Sequence, residues 1–194
     1  VTALAVDGAP VDLGWSPPRR RGPSGAPEQT YVRGLETTSA TIVLAEPIPA
    51  GAVATLDVEW NFEVPRADQG RGLRMGAWGD SLFQVAQWYP QVARYDDLRG
   101  WDTEPYLGSS EFYNNFGRFD VTVDVPAGWL VGATGVLQNP DEVLTAEVRE
   151  RLERVVGSDE TRTIVGPDEF GRGSATVDPA AAGDGDRLVW RFSA

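Results

Sequence analysis

The sequence predicts a mainly β fold, an antiparallel β-sandwich with one short helix near residues 140–156 and a long irregular aromatic loop. Three observations carry this. Apolar residues alternate with polar ones over Leu56–Val64 and again over Phe119–Val125, the period of half-buried antiparallel strands. Short apolar runs recur along the chain between turns rich in Pro and Gly, as sandwiches require. Only one stretch, after Asn139, has the helical period.

In chain order, Leu4–Val6 is the first short strand. Ser16–Pro27, SPPRRRGPSGAP, is a loop by its Pro, Gly and Arg content. Thr30–Arg33 and Ala40–Leu44 read as strands, and EPIPAG over Glu46–Gly51 reads as a turn. It is expected to join Ala40–Leu44 to Leu56–Val64 as a hairpin or meander. In the latter strand Leu56, Val58, Trp60, Phe62 and Val64 share one face, and Asp57, Glu59, Asn61 and Glu63 share the other. Pro65–Asp80, rich in Gly, is expected to leave the sheets as a loop, and Leu82–Gln87 to return as a strand. Phe119, Val121, Val123 and Val125 face opposite to Asp120, Thr122 and Asp124, and Pro126 and Gly128 stop that strand.

Leu130–Thr134, Thr161–Val165 and Leu188–Phe192 complete the predicted strands, with Pro179–Asp186 as a hairpin turn. The helix begins with Asn139 as N-cap, Pro140 at the first position and Asp141 and Glu142 in the first turn. Leu144, Val148, Leu152 and Val155 form its apolar stripe, and Gly157 ends it. Glu147 with Arg151 and Glu150 with Arg154 are spaced four apart in the favourable order, adding roughly 0.2–0.5 kcal/mol each.

With 194 residues, one domain is the simpler expectation. A formal net charge of −12 opposes phosphate binding, so no nucleic-acid partner is expected. The basic cluster Arg19, Arg20 and Arg21 sits in a Pro- and Gly-rich loop and reads as solvated surface. No apolar run approaches the roughly 18 residues of a membrane helix, so no membrane span is expected. The start, VTALAVDG, lacks signal-peptide features and reads as a strand entered midway, the expectation for a fragment or processed product.

The chain has no His, Cys or Lys, which removes His-based triads, thiolate chemistry and a lysine base for serine. GRGLRMG lacks the lysine and helix of a phosphate loop. The neighbouring carboxylates Asp96 and Asp97, Asp102 and Glu104, and Asp141 and Glu142 are weak candidates for glycosidase-like acid and base. That chemistry needs carboxyls roughly 5–9.5 Å apart across a substrate, normally from different elements. The most distinctive feature is therefore aromatic. Phe83–Pro126 contains Trp88, Tyr89, Tyr95, Trp101, Tyr106, Phe112, Tyr113 and Phe116, interleaved with amides and carboxylates. Such a mixture makes either a sugar-stacking platform or the buried centre of a protein interface.

Within this block run Gln87–Pro90, Asp96 and Asp97, Gly100 and Trp101, Pro105–Gly108, Phe119–Val121, Val125 and Pro126, and Ala133–Leu137. In that order they resemble the N-terminal domain of bacterial zinc metallopeptidases of the aminopeptidase N and leukotriene A4 hydrolase type, the gluzincins. The match covers a quarter to a third of the chain, with looser agreement over Thr38–Pro65 and at the terminal WRFSA.

The resemblance implies a saddle-shaped β-sandwich preceding a thermolysin-like catalytic domain. It implies no catalytic residue and no metal ligand in this chain, with zinc expected in the parent's catalytic domain through H-E-x-x-H, which is absent here. The implied partners are the downstream catalytic domain and, through the parent enzyme, a peptide; the implied location is periplasmic or secreted. In such enzymes this domain lends a Gln or Glu to the pocket for the substrate's free amino group. By position that residue is Gln87, with Gln84 second. Trp88, Tyr89, Tyr95, Trp101, Tyr106 and Tyr113 would form the interface or cleft wall. The rival expectation is a free-standing carbohydrate-binding or adhesion module using the same aromatics.

Overall fold

A computed structural model describes residues 1–16, 27–67, 74–104, 113–179 and 186–194. The chain is mainly β, with 28% of the described residues in strands or bridges and 10% in helices. Its paired strands are antiparallel. It divides into two compact units, Val1–Asn115 and Phe116–Ala194. Among the described residues no helix is long and apolar enough to cross a membrane.

In the first unit, β1 (Ala3–Val6) lies between β2 (Ala9–Pro10) and β5 (Leu56–Glu59). β3 (Tyr31–Arg33) pairs with β4 (Thr41–Val43), β6 (Gly76–Trp78) with β7 (Leu82–Gln84), and β8 (Tyr95–Asp96) with β9 (Gly100–Trp101). Leu4, Val11 and Val32 form a small buried core, with Val6, Leu13, Leu35, Ile42 and Val58 packed on it. The expected hairpin between residues 40–44 and 56–64 does not form. β4 pairs instead with β3, placing Ile42 opposite Val32, and β5 pairs with β1, placing Val58 opposite Leu4. Both registers bring apolar residues onto this core, whereas the intervening segment carries Pro47 and Pro49, which have no backbone donor.

Pairing of β5 ends at Glu59, short of the expected Val64, although Val58, Trp60 and Val64 remain less exposed than their neighbours. The expected loop Pro65–Asp80 contains β6. Its Gly76 marks a close approach: a Cβ there would lie 2.8 Å from Ala67 Cβ, and the next amide, Ala77 N–H, donates to Pro65 O at 2.8 Å. Most of the loop expected at Ser16–Pro27 and of the turn expected at Pro179–Asp186 lies outside the described residues.

The second unit is organised by β12 (Arg187–Ser193), the centre of a sheet with β10 (Asp120–Pro126) and β11 (Val136–Leu137). Both long strands alternate cleanly, so Leu188, Trp190 and Phe192 are buried and Val121, Val123 and Val125 half-buried. With Val143, Leu144, Val148 and Ala175, the three β12 residues make the core of this unit.

The single helix expected at 140–156 is two: α1 (Pro140–Val143) and α2 (Ala146–Val155). Leu144 between them is extended (φ −110°, ψ 144°) and forms a bridge to Thr176, flanked by hydrogen bonds from Val177 N–H to Val143 O and from Thr145 N–H to Ala175 O. Leu144 and Val148 are buried, but Leu152 is 37% exposed, so the stripe is shorter than expected. Glu147–Arg151 and Glu150–Arg154 form at 2.5 and 3.0 Å, and Gly157 (φ 79°) follows the helix end.

Two expected strands are irregular. Leu130–Thr134 gives way to β11, preceded by Gly135 at φ 95°, where a Cβ would collide with Ser193 O at 2.4 Å. At Thr161–Val165, Ile164 O accepts from the Arg151 side chain instead of from a strand partner.

Asn139 is not a side-chain N-cap. It is buried, and its amide finishes the sheet where β11 stops: Nδ2 donates to Val189 O at 2.8 Å and Oδ1 accepts from Arg191 N–H at 2.9 Å. A side chain there replaces the next residue of a strand, so β12 keeps its hydrogen bonds beyond the end of β11.

Candidate functional site

The site is built on two supports in the first unit. The first is the end of β5, where Trp60 follows the last paired residue and its indole N–H donates to Trp88 O at 3.0 Å. The Trp60 and Trp88 rings lie 5.8 Å apart at 34°, and Trp88 meets Tyr89 edge-on at 5.5 Å. These rings hold the loop after β7 against the end of β5. Thr2, Glu59, Trp60, Asn61, Phe62 and Trp88 line a cleft of about 540 Å³ there.

Gln87 enters this arrangement with its backbone at φ 54°, and its side chain is exposed. A left-handed backbone costs a non-glycine residue on the order of 1–2 kcal/mol, so the surrounding contacts must impose it. Gln84 is different: it is an ordinary exposed residue of β7, opposite Gly76.

The second support is the β8–β9 hairpin. Asp96 Oδ1 accepts the Leu98 and Arg99 N–H groups at 2.9 and 2.6 Å, fixing the turn, with Gly100 at φ 77°. Tyr95 and Trp101 are cross-strand partners whose rings meet edge-on at 5.2 Å, and both are exposed. The Arg94 guanidinium sits 4.1 Å over the Tyr113 ring.

The structure thus joins Trp88 and Tyr89 to each other, and Tyr95 to Trp101, while Tyr113 pairs with Arg94. Tyr106 lies outside the described residues. Trp60 and Phe62 escaped the sequence reading because their alternation assigned them to a buried strand face. The legible signal was two large rings running on past a strand of small and branched residues, into the N-F-E of Asn61–Glu63.

Two of the carboxylates nominated as acid and base have structural hydrogen bonds. Asp96 fixes its turn, and Glu142 accepts from Asn139 and Arg191, which hold its carboxyl below the usual range, the Asn139 hydrogen bond most strongly. Among the described residues no three His, Cys, Asp or Glu side chains group as a metal site would require. A second groove of about 550 Å³, bordered by Asp7, Asp12, Glu46 and Ile48, contains none of the residues nominated from sequence. No family model, curated protein or solved structure matches the chain.

Proposed function

We propose that this chain is the non-catalytic N-terminal β domain of a zinc aminopeptidase-like metallopeptidase of the gluzincin type, with a sandwich core. In this reading it packs on a downstream catalytic domain and contributes the Gln87 loop to the wall of the substrate cleft. The ordered motif series from Gln87 to Leu137 motivates it. The observation that carries it is Gln87 itself: the one loop glutamine nominated for the substrate's amino group has an exposed side chain on a left-handed backbone, locked beside the Trp60–Trp88 contact. Backbone held in a costly conformation is a common property of functional loops.

Gln87 would offer its amide oxygen to a protonated N-terminus, a hydrogen bond to a charged group contributing roughly 1.5–3 kcal/mol. Zinc chemistry would belong wholly to the parent's catalytic domain. Steady-state kinetics of the full-length polypeptide tests the reading. Gln87→Ala should raise KM for a substrate with a free amino terminus by roughly tenfold or more. Hydrolysis of an N-acetylated control should be unchanged. An unaltered KM, or peptidase turnover by residues 1–194 alone with contaminants excluded, would contradict it.

The cleft favours a second reading. Two indoles and a phenyl ring bordered by Glu59, Asn61 and Thr2 suit a neutral sugar, with the rings stacking and the polar groups meeting hydroxyls. Saturable quenching of tryptophan fluorescence by an oligosaccharide, abolished by Trp88→Ala, is the expected result for that module; silence across a glycan array rejects it.

A further inference from the structure

We propose that the outer edge of β5, Leu56–Glu59, accepts an added β-strand from a partner whose extended segment alternates apolar and basic side chains. This rests on the sheet and its charges, independently of the reading above. β5 is the terminal strand of the order β2–β1–β5, and among the described residues no strand pairs with its other side. Asp7 N–H donates to Thr55 O at 2.8 Å, and the antiparallel register then directs Thr55, Asp57 and Glu59 toward β1. Leu56 and Val58 consequently turn their N–H and C=O groups to the open side, a template for one more strand.

The edge is short and acidic, and the acids are what a matching partner must neutralise. Leu56–Val64 contains no proline, glycine or lysine, and its acidic side chains sit on one face, away from the apolar Val58. The charges also choose the occupant. Asp57 and Glu59 are exposed, and Glu63 continues the series, with no basic residue between Leu56 and Val64. An antiparallel pairing of two copies centred on Val58 would set Asp57 against Glu59 twice, which cross-strand repulsion opposes. A strand with arginines at those two positions and apolar residues opposite Leu56, Val58 and Trp60 satisfies both charge and pattern, in the manner of strand addition.

The test uses the whole 194-residue chain and the acetylated, amidated peptide Val-Arg-Val-Arg-Val, read by residue-resolved hydrogen exchange. Saturating peptide is expected to slow exchange of the Leu56 and Val58 amides by about tenfold or more. Val-Glu-Val-Glu-Val should bind at least about tenfold more weakly, as should the arginine peptide to a chain carrying Asp57→Lys and Glu59→Lys. The proposal is overturned if the arginine peptide leaves those amides unprotected, or if blocking its amides by N-methylation leaves binding unchanged. It is equally overturned if the acidic peptide binds as well, or if the chain alone dimerises and protects the same amides.

Discussion

The Trp60 indole N–H donates to the Trp88 carbonyl at 3.0 Å, tying the end of a strand to a loop 28 residues further along the chain. That bond holds the residue immediately after Gln87, so the conformation of Gln87 depends on a residue just past the end of β5. Trp60→Phe keeps most of the ring and removes the donor. It is expected to destabilise the first unit by about 1 kcal/mol and to speed amide exchange around residues 87–89. Urea unfolding and hydrogen exchange check both, and unchanged exchange in that loop rejects the coupling.

Gln87 itself should show the conflict between stability and function expected of a strained position. Gln87→Gly removes the left-handed cost and, after the extra entropy of an unfolded glycine, is expected to stabilise by roughly 0.5–1 kcal/mol. Gln87→Ile should destabilise by about 1 kcal/mol or more, because a β-branched residue tolerates φ 54° poorly. Denaturant midpoints of the two variants moving in the same direction would show that the backbone is not strained there.

Asn139 supports the second unit through two backbone bonds to β12 and a 3.0 Å bond to Glu142. Asn139→Ala leaves the Val189 carbonyl and Arg191 amide without that partner, and a cost of about 2–3 kcal/mol is expected. Asn139→Asp should be no milder, since a carboxylate would face the Val189 carbonyl and Glu142. Equilibrium unfolding monitored through Trp190 measures both.

Acid stability should depend on Glu169. Its carboxyl is held down to about 2 from 4.5, chiefly by the 2.7 Å bond from Arg151 and then by the Gly166 N–H, and Arg151 is raised in turn. The unfolded chain therefore takes up the Glu169 proton first as pH falls. The contribution is fully present above about pH 4.5 and is lost between there and about pH 2. Glu169→Gln should lower stability at neutral pH and flatten its fall across that window. A variant whose pH profile parallels the parent's would contradict this assignment.

Alternation and helical period located most elements because burial acts locally along a chain. The β10 and β12 faces, the start of α1 and the Glu147–Arg151 pair follow directly from spacing. Pairing was less legible. Nothing local in Leu56–Glu59 says that it belongs beside Ala3–Val6, and the long segment between β4 and β5 resembled a hairpin turn. Asn139 shows a different limit, because the composition of an N-cap matches that of a side chain completing a sheet. Around the candidate site, Gln87 belongs to the motif series that nominated it, whereas Trp60 was not nominated, since a tryptophan in a strand period reads as core. Its role depends on which loop passes the end of that strand.

We propose that this domain serves a catalytic centre lying elsewhere in a longer polypeptide. Sequencing the coding region beyond Ala194 tests it most directly. The expected result, in the same reading frame, is a helix bearing H-E-x-x-H followed by a more distant zinc-ligating glutamate. A stop codon at that point, or a downstream domain with no such motif, would contradict it.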